Sequence, residues 1–217
     1  MKNEEDYLEL ERLSRKLGIP VPMTRLRIES KIDNNIIGLY DERSHSPVRN
    51  FYNAIFGIIT NYTPTGSTYG AGYLTSKDIN NTNRNRGFNT SYSIIGGLNT
   101  STYGIIVGGS STAESFEQYN LGTMIINGTS TNQLLYATQS NTTVQYTSGT
   151  KTWDATLTRI MNNNSPSTIT VTESCINDWN SNNGLLMSCR DVISPSIDVL
   201  VGGQLTVTYT ISLAYPA

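Results

Sequence analysis

Gly202-Gly203-Gln204-Leu205-Thr206-Val207-Thr208-Tyr209-Thr210-Ile211-Ser212-Leu213 is the stretch whose reading decides the fold. Apolar side chains stand at 205, 207, 209, 211 and 213, and small hydroxyl residues fill the positions between. Successive side chains of a strand point to opposite faces, so this period of two makes one buried face and one wet face. Thr and Tyr suit a pleated, half-buried surface, and the Gly pair in front is a turn. A chain that ends in its best strand is expected to close a β-sandwich with it.

Working back, the same signature recurs. Thr168-Ile169-Thr170-Val171-Thr172 alternates, and Trp153, Ala155 and Leu157 alternate with Thr152, Asp154, Thr156 and Thr158. Asn162-Asn163-Asn164-Ser165-Pro166 turns the chain between these two runs. Leu185-Leu186-Met187, Gln133 to Ala137, Gly122 to Asn127 and Gly104-Ile105-Ile106-Val107-Gly108 read as further strands. Gln145 starts another before the Ser148-Gly149 turn, and Asp191 to Pro195 reads as a turn. Strands punctuated by Gly, Asn and Ser predict a mainly β fold, an antiparallel sandwich over residues 101–217.

The first 62 residues read differently, as an N-terminal arm of helix, hairpin and helix. Residues 3–17 carry Glu4, Glu5 and Asp6 in the first turn and Arg15 and Lys16 in the last, the order the helix dipole favours. Leu10, Leu13 and Leu17 fall on one side, beside Tyr7, and Gly18 and Pro20 end the helix. So narrow a stripe docks either on a neighbouring subunit or back on its own domain. Two strand-like runs, Arg25 to Lys31 and Ile36 to Tyr40, flank Asp33-Asn34-Asn35 and predict a hairpin. Ser46 and Pro47 then open a second helix. On it Val48, Phe51, Tyr52, Ile55, Ile58 and Ile59 recur at helical spacing opposite Arg49, Asn50 and Asn53. Residues 63–100 are rich in Gly, Asn, Thr and Tyr. They read as a surface excursion with one or two short strands, reaching towards another subunit.

Composition narrows the function. The 217 residues carry a net charge of −2 with 15% charged residues, so no basic field draws in nucleic acid or an acidic membrane. No apolar run reaches the roughly 18–20 residues needed to span a bilayer, and the acidic N-terminus lacks the form of a signal peptide. Synthesis in the cytoplasm is the expectation. Cys175 and Cys189 could face each other across neighbouring strands, but without an export signal buried free thiols are the expected state.

Chemistry-bearing groups are sparse. His45 is the single histidine and reads as a surface or capping residue. One His and two separated Cys cannot close a zinc site, and no calcium loop or phosphate-binding glycine motif is present. A carboxylate pair such as Asp154 with Glu173 could be imagined for glycoside hydrolysis, with nothing to place the two together. Tyr69 and Tyr73, in a Tyr-rich loop, are candidates for stacking on sugars. The expectation is a protein that is not an enzyme and needs no cofactor or metal.

The C-terminal half resembles a family of tailed-bacteriophage virion proteins. The likeness lies in Tyr103 with Gly104-Ile105-Ile106-Val107-Gly108-Gly109, and in Phe116-Glu117-Gln118-Tyr119-Asn120-Leu121. It extends to Asn162-Asn163-Asn164-Ser165, Ile169-Thr170-Val171-Thr172-Glu173, Arg190-Asp191-Val192 and Gly203 to Ile211. A weaker echo covers Arg43 to Asn53, and the pattern breaks at Glu173-Ser174-Cys175-Ile176. The resemblance implies a β-rich accessory component of capsid, neck or tail, made in the host cytoplasm and present in many copies in the virion. Its partners would be copies of itself and other virion proteins, portal included. Leu10, Leu13, Leu17, Phe51, Tyr52 and Ile55 are the residues expected to carry assembly. The alternative is a receptor- or glycan-binding module at the particle surface, working through Tyr69 and Tyr73.

Overall fold

In the computed structural model, residues 4–44, 47–60, 75–85, 92–180 and 184–214 are described. The elements are α1 (Glu4–Leu17), β1 (Pro22–Ile32), β2 (Asn35–Ser44), α2 (Arg49–Thr60), β3 (Thr75–Lys77), β4 (Asn83–Asn85) and β5 (Tyr92–Ser93). They continue with β6 (Gly104–Gly108), β7 (Leu135–Tyr136), β8 (Thr143–Thr147), β9 (Thr152–Asn162), β10 (Ile169–Asn180), β11 (Gly184–Val199) and β12 (Gln204–Ala214). The fold is mainly β, and its strands pair antiparallel.

β12 is the spine of the larger sheet. It pairs with β1 on one side and β9 on the other, in the order β2-β1-β12-β9-β7, with β8 also on β9. Register places Leu26, Tyr209 and Leu157 in one row and Ile28, Val207 and Arg159 in the next, all buried. Thr208 and Thr158, on the other face, share a hydroxyl hydrogen bond of 3.1 Å. The alternation read from the sequence is therefore the division between core and exterior.

The smaller sheet has β10 between β11 and the pair β5 and β6. One apolar cluster joins the two sheets, with Leu26, Leu157 and Val207 from the larger and Ile106, Val171 and Ile197 from the smaller. β10 departs from simple alternation, because Glu173 to Asp178 are all buried. One face of this strand meets the core. The other lies under residues 109–125, which run over it without regular structure.

Several expectations change. The hairpin does form, turning on Asp33 and Asn34 with φ of 48° and 65°, as a tight primed turn requires. It is not part of a detached arm, because β1 pairs along ten residues with β12 and buries Leu26 and Ile28. The turn expected at Asp191–Pro195 lies inside β11. There Val192 pairs with Glu173 and Ile197 with Val171, so residues 193–196 bulge opposite Thr172. The strands expected at Gly122–Asn127 and Gln133–Ala137 shrink to isolated bridges and the two-residue β7. Some of their amides bond side chains instead, Thr123 N–H donating to Glu173 and Asn127 N–H to Ser101 Oγ, while Ile125 N–H still reaches the Val107 carbonyl of β6. The described parts of the 63–100 excursion are tied back to this chain. Asn50 exchanges two hydrogen bonds with Lys77 backbone (2.8 and 3.0 Å), and Asp78 binds Arg84.

Candidate interaction surfaces

The surface of the smaller sheet is set by two buried charges. Arg190 and Glu173, on adjacent strands, are fully buried and joined at 2.7 Å. The Glu173 carboxylate also accepts from the backbone N–H groups of Ser110, Gly122 and Thr123 at 2.9–3.2 Å. Arg190 donates onward to the Thr112 carbonyl and to Gln118 Oε1. A charge pair removed from water holds only when its remaining lone pairs and protons are satisfied. Here the groups that satisfy it belong to residues 110–123, so the pair clamps that segment onto the sheet. Gly108 is part of the fit, since a Cβ there would lie 2.6 Å from the Thr123 carbonyl and collide with Glu173.

The clamped segment holds Phe116 outward, against α2. The Phe116 carbonyl accepts from Arg49 N–H at 2.8 Å, Arg49 forms an ion pair with Glu117, and its guanidinium lies over the Phe116 ring. Tyr52 stands 5.8 Å from Phe116 and 5.5 Å from Phe51, centroid to centroid. Phe56 lies one turn further along α2 on the same side as Tyr52. Tyr52, Phe56 and Phe116 are each about half exposed, which makes an aromatic patch rimmed by Arg49 and Glu117. Phe51 and Ile55 are partly buried beneath it. The expected polar side of α2 is therefore wrong at Asn50. That amide is buried because β3 needs its donor and acceptor, and Tyr52 turns outward instead.

α1 lies on the outer face of the larger sheet. Arg43 of β2 is its anchor, bonded to Glu4 at 3.1 Å and Glu11 at 2.9 Å, with its guanidinium 5.2 Å from the Tyr7 ring centre. Tyr7, Glu11 and Ser14 are the half-buried stripe of the helix. Ile19 N–H donates to the Ser14 carbonyl beyond Gly18 (φ 67°), closing the helix end. Beneath it, a cleft of about 140 Å³ is lined by Glu11, Ser14, Met23, Thr152 and Ser212. At 100° per residue, Leu10, Leu13 and Leu17 lie about a quarter-turn from the docked stripe. All three are exposed, Leu17 at 64%. The helix is held by its polar side, and its leucines are left without cover among the described residues.

The larger sheet contains the residue the sequence reading passed over. Arg159 is fully buried, and its guanidinium donates to five carbonyls at 2.6–3.1 Å, those of Gly97, Thr100, Tyr103, Ile105 and Ala137. It also stacks on Tyr136 at 4.8 Å. Burial pulls it down to about 10, offset in part by Tyr136 and Tyr103, so it stays cationic at neutral pH. Carrying the alternation of Trp153, Ala155 and Leu157 two residues further would have placed this charge on the core face.

Other candidates are kept apart. Asp154 lies on the outer face of β9, bonded to Ser212, while Glu173 is enclosed in the other sheet with Arg190, so they form no carboxylate pair. Arg190 and its chain neighbour Asp191 have separate partners. Asp191 accepts from Ser44 and Tyr209. Cys175 and Cys189 are free and buried, and burial pushes both thiols up. Cys175 is opposite Arg190 and Cys189 opposite Ile176, so the two thiols leave opposite faces of the sheet. His45, Ser46, Tyr69 and Tyr73 lie outside the described residues. Among the described residues no group of three His, Cys, Asp or Glu side chains could hold a metal, and no helix is long and apolar enough to cross a membrane. No known protein family, curated protein or solved structure matches this chain.

Proposed function

We propose that the chain is a non-enzymatic structural component of a tailed-phage virion, a β-sandwich that takes its place among other virion proteins through helices carried on its surface. The observation that carries this reading is α1. A charged anchor, Arg43 with Glu4 and Glu11, fixes the helix by its polar stripe and keeps Leu10, Leu13 and Leu17 turned to solvent. A helix whose only task was to cover its own sheet would bury those leucines. The aromatic patch of Tyr52, Phe56 and Phe116 is a second apolar surface with a polar rim, the anatomy of a protein contact. The resemblance of residues 100–217 to tailed-phage virion proteins supplies the setting.

Mass spectrometry of purified particles is the test. The chain is expected among the virion proteins, and lost from particles when Leu10, Leu13 and Leu17 all become Ser. A chain absent from wild-type particles would end the proposal. The second reading, a glycan- or receptor-binding module, draws support from the same exposed rings. It requires that Tyr52→Ala with Phe116→Ala abolish host adsorption by particles of normal composition.

A further inference from the structure

We propose that β8 is the seam of a homodimer, pairing antiparallel with β8 of a second copy about a twofold axis through Gln145. β8 bonds β9 along one edge, from Thr143 opposite Thr156 to Thr147 opposite Thr152. Among the described residues no strand pairs with its other edge, and all five residues are exposed. An edge strand is a row of unpaired donors and acceptors, which proteins guard with charge, proline or a bulge. Thr143-Val144-Gln145-Tyr146-Thr147 has none of these. β2, at the far side of the same sheet, has Asp41, Glu42 and Arg43, and a register break where it meets β1.

The occupant is a second copy because the strand is its own complement. Antiparallel pairing about Gln145 sets Thr143 opposite Thr147 of the other copy, Val144 opposite its Tyr146, and Gln145 opposite itself. Hydroxyl then meets hydroxyl, β-branched meets aromatic, and amide meets amide, with no charge buried or opposed. Such a contact is isologous and closes at two. The axis also keeps each face of the sheet continuous with the same face of its neighbour. On one face Val144, Tyr146 and Trp153 are 61%, 44% and 40% exposed, and Tyr146 already stacks on Trp153 at 5.0 Å. Pairing lays this apolar strip against its copy and takes part of it out of water.

The seam does not depend on the virion reading. Sedimentation velocity of the full chain over a concentration series is expected to show the mass of two chains. Thr143→Lys with Thr147→Lys sets lysine opposite lysine in both cross pairs and weakens association roughly tenfold or more. Thr143→Lys with Thr147→Glu sets lysine opposite glutamate twice and keeps the dimer. Both variants are expected to keep the parent's circular dichroism spectrum, since both side chains are exposed. Gln145→Cys is expected to give a disulfide-linked dimer under mild oxidation. A parent chain that stays at the mass of one copy overturns the seam, as does equal weakening by the two charge variants. A chain that dimerises but is missing from particles fails the virion reading alone.

Discussion

The charges inside the smaller sheet and those on the outer face of the larger one are the same residue types put to different use. Glu173 and Arg190 are enclosed, and each of their polar atoms is bonded, to the other or to the segment that covers them. Arg25, Arg27, Asp41, Glu29 and Lys31 lie in the open across β1 and β2, in pairs such as Arg25 with Asp41 and Lys31 with Glu29. Water competes for every one of the exposed pairs and for none of the enclosed ones. The enclosed charges therefore decide where residues 109–125 lie. The open ones contribute little to stability.

The comparison is broken most severely at Arg159, an enclosed charge with no carboxylate among its partners. Arg159→Met removes the donors of five carbonyls at once, each worth about 1–3 kcal/mol when left buried and unmet. A loss on the order of 5 kcal/mol is expected, comparable with the whole stability of a typical domain, and read as loss of a cooperative thermal transition.

Glu173→Ala comes next. It strands Arg190 and should cost about 3–5 kcal/mol in denaturant unfolding. The double change Glu173→Leu with Arg190→Met removes both charges, and is expected to recover part of that loss. If it is as damaging as the two single changes added together, the pair matters for something other than its charges. Exchange of the amides of residues 110–123 gives a finer reading, because Glu173→Ala should speed their exchange ahead of β9 and β12.

On the open face, Asp41→Asn is expected to change stability by less than about 1 kcal/mol. Its pH dependence has a definite sign. Hydrogen bonding to Arg25 holds the Asp41 carboxyl below its ordinary value, and Lys31 with Arg27 does the same for Glu29. Folded values below unfolded ones mean that their contribution is present at neutral pH. It is lost as pH falls through the usual carboxylate range towards the folded values. Melting at pH 7 and pH 3, with and without Asp41→Asn, should show the difference between the two proteins shrinking at the lower pH. The smallest effect expected is none. Cys175 and Cys189, buried and with raised thiol values, should resist alkylation in the native protein and react fully once it unfolds.

What could be read from the chain follows the range of each interaction. The closing strand, the Asp33–Asn34 turn and both helices are local patterns, and they stand in the structure near their expected places. The docking of α1 could not be read. Leu10, Leu13 and Leu17 are the best apolar stripe, yet Tyr7, Glu11 and Ser14 face the sheet because Arg43 waits there. Gly122–Asn127 and Gln133–Ala137 read as strands because apolar runs recur in them, but only scattered amides such as Ile125 find a strand carbonyl, while those of Thr123 and Asn127 are taken by Glu173 and Ser101. The aromatic patch needed Phe116 and Tyr52, 64 positions apart in the chain, to meet through a segment clamped from below.

By itself the sequence determined an antiparallel β protein and, for strands such as β12, which face is wet and which is buried, because that division is written in a period of two within a few residues. Only the tertiary structure decided which polar groups are enclosed and which apolar ones are left outside. Glu173, Arg190 and Arg159 are tolerable in the core solely because partners distant in the chain arrive to bond them, and no local pattern encodes that arrival.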